Sequence, residues 1–201
     1  MTQVLTEVRA HLRGHCARLL GADPAWEPDS ASVTFLGVER IAVLRFGPDQ
    51  DGVYHYVSLG CSRHPMGDPT ALAADPLLGP RAEVVVSLRD TAPTSGLART
   101  VALLAATPAV DVVVLLPDAL IDLGAPLWSP SPFTAVLLAH SEIPPLVLDA
   151  PRDPVTFLTA TPISANEAAW VRLKGVDALR ETWRTDGVDI LDPRRPAKQP
   201  R

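Results

Sequence analysis

The chain has 201 residues, 21 of them proline, with 18 Lys and Arg against 23 Asp and Glu and 47% hydrophobic residues. That balance excludes wholesale disorder, and the length predicts one domain with a sizeable core. The net charge is −5 although Arg194, Arg195, Lys198 and Arg201 crowd the end, so the body is acidic, repels phosphate backbones and excludes nucleic acid as the expected partner.

From Thr2 to Leu20, Val4, Leu5, Val8, Leu12, Cys16 and Leu19 recur at three- and four-residue spacing, which predicts an amphipathic helix stopped by Gly21 and Pro24. Ser32 to Leu36, Arg40 to Phe46 and Val53 to Leu59 read as three strands joined by hairpin turns. Gly60 to Pro80 has no periodicity and reads as a long loop, a feature more often functional than filler. Arg81 to Leu88 is a strand, and Thr94 or Ser95 caps a helix that runs to Ala106 and ends at Pro108. Val110 to Leu116, Phe133 to Leu138 and Val155 to Ala160 are further expected strands, the last closed by Pro162.

Ser164 followed three residues later by Glu167 is a capping box, opening a helix that closes near Gly175. A last helix, Val176 to Asp186, presents Val176, Leu179 and Trp183 on one face. Together these elements predict an α+β fold, a mixed and mostly antiparallel sheet flanked by helices as an αβα sandwich over residues 1–192, then a basic, proline-rich, disordered tail from 193 to 201. The longest uncharged stretch, Leu123 to His140, is broken by Pro126, Pro130 and Pro132, so no membrane span is expected. Glu7, Arg9 and Arg13 interrupt any signal-peptide core, which predicts a cytoplasmic chain with Cys16 and Cys61 as reduced thiols.

Several segments in this order resemble the Suppressor of fused family. They are Tyr54 to Ser62 (YHYVSLGCS), Gly79 to Leu88 (GPRAEVVVSL), Phe133 to Leu138 (FTAVLL), Val155 to Leu158 (VTFL), the Pro162-Ile163 turn leading to Glu167, and Gly187 to Arg195 (GVDILDPRR). The resemblance implies a mixed α/β sandwich of the single-domain bacterial type that works by binding another protein and is not an enzyme. Eukaryotic relatives grip an extended peptide of a transcription factor between this domain and a second one, which this sequence lacks. Single-domain bacterial relatives are regarded as immunity proteins that neutralise toxins, so a partner toxin domain is the expected ligand.

For the binding surface, Tyr54 and Tyr56 share a face of one strand and Arg81 and Glu83 a face of the next, and a joint patch of all four is expected, with Arg63 and His64 on the loop as its rim. Trp128 between prolines is a further candidate anchor, or a lid over the core, since tryptophan is highly buried on average. An alternative reading uses His11, His15, Cys16, Cys61 and His64 as a tetrahedral metal site or thiol centre, provided the long loop folds back onto the first helix. There is no phosphate-binding glycine loop, Ser62 lacks the closing glycine of a nucleophile elbow, and no cofactor is expected.

Overall fold

The computed structural model describes residues 2–21, 27–34, 39–67, 75–89 and 94–196. The expected strand end at Leu36, the middle of the long loop, and Lys198 and Arg201 lie outside these residues. Helix α1 (Gln3–Leu20) buries Val4, Leu5, Val8, Leu12 and Cys16 and ends on Gly21, whose left-handed φ of 62° lets its N–H reach the Ala17 carbonyl. Strands β1 (Asp29–Val33), β2 (Ile41–Phe46), β3 (Val53–Leu59) and β4 (Arg81–Arg89) follow as antiparallel neighbours.

Helix α2 (Leu97–Asp111) departs from the sequence reading at both ends. Its N-cap is Gly96, without a side-chain cap, and it continues through Pro108. A proline inside a helix leaves the carbonyl four residues earlier without its N–H partner. Here Thr107 Oγ1 donates to that carbonyl, Leu104 O, at 2.7 Å, which keeps the turn satisfied. The expected Val110–Leu116 strand is therefore the end of α2 followed by an unpaired segment, and the edge strand β5 (Leu120–Asp122) takes its place.

Strand β6 (Phe133–His140) pairs antiparallel with β5 and with β7 (Val155–Ser164), and β7 pairs parallel with β4. Strand β7 runs past Pro162, which lies opposite Val136 of β6 beyond the last residue paired with β4. A missing N–H there costs no ladder bond on the β4 side. The seven strands form one sheet in the order β1-β2-β3-β4-β7-β6-β5.

Helices α3 (Ala165–Lys174) and α4 (Val176–Thr185) close the fold, and α3 begins with the expected capping box between Ser164 and Glu167. Helix α2 covers one face of the sheet, packing Val101, Leu104 and Ala105 against Val43, Val84, Val86, Leu138 and Leu158. The other face carries two blocks. One is α1 on Leu44, Phe46, Val57, Val85 and Phe157, and the other is α3 and α4 on Ala135, Leu137 and Ile163. The three layers are the αβα sandwich expected from sequence. No helix among the described residues is long and apolar enough to cross a membrane.

The end of the chain corrects the expected tail boundary. Arg195 is only 4% exposed and donates to Glu167 Oε1 at 2.7 Å, Glu167 Oε2 at 3.2 Å and Pro162 O at 2.8 Å. Its guanidinium also lies over the rings of Phe133 and Trp183. A residue fixed by one buried carboxylate and two aromatic faces belongs to the body of the domain, not to a solvated run of charge.

Candidate functional site

The long loop after β3 is held from beneath by two buried charges. Glu83 has no exposed surface, and its Oε1 accepts from Gly60 N at 2.9 Å, Ser62 N at 3.0 Å and Ser62 Oγ at 2.6 Å, while Oε2 accepts from Ser58 Oγ. Arg81, 2% exposed, works on the opposite polarity, donating to the carbonyls of Ser62 at 2.9 Å, Arg63 at 3.0 Å and Leu77 at 3.3 Å. One side chain takes the loop's N–H groups and the other its C=O groups, so the two replace the ladder that β3 and β4 cease to form here. Gly60 fits this turn because its φ is 154° and a Cβ would lie 3.1 Å from Ile41 Cα.

The short 3-10 turn so anchored, Cys61–Arg63, projects a charged rim. Arg63 donates to Glu39 and, at 2.9 Å, to Arg40 O; exposed His64 approaches the same Glu39 carboxylate at 3.6 Å. The Glu39 carboxyl is held below its ordinary range by the hydrogen bond from Arg63 above all, with His64 adding to it. Behind the rim lies a hollow of about 480 Å³ shared with Met66 and with Ala105, Pro108 and Val112 of the α2 end. Beyond it Val110, Val112, Val113 and Leu116 are all exposed.

The register corrects the expected four-residue patch. Tyr54 pairs with Leu88 and Tyr56 with Val86, residues of the α2 face, whereas Arg81 and Glu83 fall on the alternate set with Val85 and Ser87. A shift of one residue in strand parity moves a side chain to the other face. Tyr54 stacks beneath the Arg45 guanidinium at 4.9 Å, and half-buried Tyr56 reaches Thr94 Oγ1 at 3.4 Å. Arg81 and Glu83, two residues apart on β4, are each committed to the loop and not to one another. Trp128 is likewise buried, 5.6 Å from Phe133 in the α2-side core, and is a lid on the core instead of an exposed anchor.

The alternative histidine and cysteine cluster is divided between two cavities. His15 and Cys16 line a groove beside α1, while Cys61 and His64 line the hollow at the loop. His11 is held elsewhere, bonded to Pro144 O at 2.8 Å and stacked on Phe157. Burial pushes the Cys16 thiol up to about 12 and the Cys61 thiol well above its ordinary value, the latter with help from Glu83. Neither thiol is poised as a thiolate.

Sequence reasoning missed the Arg195 anchor, the aliphatic end of α2, and a hydrogen-bonded chain of Asp49, His55 and Ser87 across β3 and β4. For the last, the available signal was His55 between two tyrosines in one strand and Ser87 between Val86 and Leu88 in the next. For the α2 end, the hydrophobic run was visible, but its exposure depends on the helix passing through Pro108.

The domain is thus three-layered, with one parallel strand pair in its sheet, a clamped loop and a charged rim. A family model described as Suppressor of fused protein matches residues 37–196, and the chain belongs to that family. The fold agrees with a crystal structure described as a SUFU homologue from Neisseria gonorrhoeae, at a TM-score of 0.65 and 19% identity over 96% of this chain and 94% of that one. It also matches a chain of a Sufu–Fu complex, TM-score 0.66 and 17% identity over 97% of this chain and 91% of the other. Drosophila Suppressor of Fused gives 0.64 and 18%, covering 94% of this chain and 50% of that protein. A search of curated protein sequences gave no match.

Proposed function

We propose that this domain binds another protein through the face built by the Glu39, Arg63 and His64 rim and the exposed end of α2, and that the partner is a toxin domain which it neutralises by covering it. The observation that carries this reading is the run of exposed Val110, Val112, Val113 and Leu116 beside a charged rim. Contiguous exposed aliphatic surface bordered by polar groups is costly in water and marks interaction sites. Membership of a protein-binding family supports it, as does the capture of a relative in a Sufu–Fu complex. The acidic body favours a basic partner, since complementary charge accelerates association. Arg81 and Glu83 serve this surface from below by fixing the loop, whereas Tyr54 and Tyr56 lie on the same side of the sheet as α2 but towards the start of that helix, where Tyr56 meets Thr94.

The test is capture with the purified domain of proteins encoded beside its gene, followed by titration calorimetry and a toxicity assay. Val112→Asp places a charge in the centre of the patch and is expected to weaken binding by at least ~2 kcal/mol, the scale of an interface hot spot, with an unchanged melting temperature because Val112 is exposed. Retained affinity in Val112→Asp and Val110→Asp together removes this face from the account.

A further inference from the structure

On the sheet face away from α2, the block formed by α1 and the block formed by α3 and α4 stand apart, leaving a groove of about 830 Å³ whose floor is β3, β4, β7 and β6. That volume is in the range of small-molecule sites. The walls mix apolar and charged groups, with His15 and Leu19 of α1 on one side, Arg180, Trp183 and Arg184 of α4 on the other, and Val188 and Ile190 behind. The floor carries a hydrogen-bonded chain. His55 and Ser87 are direct cross-strand partners, and His55 Nδ1 lies 2.9 Å from Ser87 Oγ. On its other side His55 Nε2 lies 3.3 Å from Asp49 Oδ2.

The donors and acceptors of this chain can be assigned. The Asp49 carboxyl is kept below its ordinary value: burial works against it, and the Val53 and Asp51 N–H groups and His55 outweigh burial. An ionised carboxylate only accepts, so His55 carries a proton on Nε2, and the neutral imidazole of that tautomer presents a bare Nδ1 to the Ser87 hydroxyl. That is an acid–imidazole–hydroxyl relay with the serine facing open volume. Its order along the chain is Asp, His, Ser, and such a constellation is recognised by geometry and not by sequence position. Thr159 and Thr161 of β7, beside β4, line the same floor with hydroxyls that bond no described protein group.

We infer that the groove is an acyl-transfer site, with Ser87 as nucleophile, His55 as base, Asp49 as the positioning residue, and small esters of apolar carboxylic acids as the substrate class. Ser87 Oγ forms a bond to the acyl carbon as its proton passes to His55 Nδ1. The bond from that carbon to the alcohol oxygen then breaks, and the oxygen leaves with the proton from Nδ1. Water repeats the exchange, releasing the carboxylic acid and restoring Ser87. The Thr159 and Thr161 hydroxyls are the donors on the floor for the developing oxyanion. Leu19, Trp183, Val188 and Ile190 set the preference for an aliphatic acyl group. This activity is separate from partner binding, since the groove opens on the opposite face of the sheet.

The experiment is to treat the purified full chain with an alkyl fluorophosphonate, which transfers its phosphonyl group to Oγ with loss of fluoride, and to map the adduct by mass spectrometry. Hydrolysis of p-nitrophenyl butyrate is followed in parallel. The expected result is one adduct, on Ser87, and ester turnover reduced at least ~100-fold in Ser87→Ala and in His55→Gln at unchanged melting temperature, the scale of a lost nucleophile or general base. Asp49→Asn is expected to lower turnover while leaving Ser87 in place. No adduct at Ser87 in the native chain overturns the inference without recourse to any variant, and so does turnover that survives in a folded Ser87→Ala protein.

Discussion

Replacing Glu83 by alanine is expected to destabilise the domain by about 3–5 kcal/mol, the upper range for a single substitution, because it strips the acceptor from several buried donors at once. Gly60 N, Ser62 N and Ser62 Oγ all lose their partner, and Ser58 Oγ loses one of its two. Arg81 remains in place, buried against carbonyls, with no carboxylate beneath the turn. Glu83→Gln keeps the shape and one acceptor oxygen, so a smaller loss is expected, about half as large on the same scale. Urea denaturation of both variants measures the difference. An alanine variant as stable as the parent would show that the turn does not depend on this carboxylate. A binding defect in Glu83→Ala is consequently read as loss of fold unless melts show otherwise, the reverse of the surface role that strand spacing suggests.

Arg195→Ala is the second large effect, also about 3–5 kcal/mol, since it removes one partner of a buried ion pair and leaves the other uncompensated. Glu167 has no exposed surface and accepts from Arg195, Trp183 Nε1 and the Ser164 backbone. Burial works to raise its pKa, yet the Arg195 guanidinium first, and then the Ser164 and Trp183 donors, hold it below the ordinary value of 4.5. A carboxyl lowered in the folded state stabilises folding fully above the ordinary value and loses that contribution as pH falls through the folded one. Acid titrations of stability should therefore show the native chain losing stability below about pH 4.5 and a Glu167→Gln, Arg195→Met double variant losing less over that range. Equal acid sensitivity in the two would remove the pair from the account. The double variant is expected to be more stable than Arg195→Ala, because it buries no unpaired charge.

The layers of the fold were legible because they rest on periodicity. The apolar stripe of α1, the β-branched and aromatic residues of β2 and β3, the capping box at Ser164 and the glycine stops at Gly21 and Gly175 each follow from a local rule. The misses share a cause. Pro108 and Pro162 look like terminators, but Thr107 satisfies one freed carbonyl and the absence of a β4 neighbour excuses the other, and both facts are tertiary. The candidate site was legible by residue and not by geometry. Glu83 is recognisable from sequence as a charge beside three valines, with Arg81 two residues before it, yet their loop partners and their face depend on where β3 leaves β4. Arg195 reads as part of a basic tail until Phe133, Trp183 and Glu167 are brought around it.

Amide hydrogen exchange of the domain alone and in complex with its captured partner tests the proposed binding face most directly. The account predicts new protection concentrated in residues 60–67 and 105–116, the loop rim and the end of α2, with α3 and α4 unchanged. Protection confined to α1, α3 or α4, with residues 105–116 exchanging as freely as before, would contradict it.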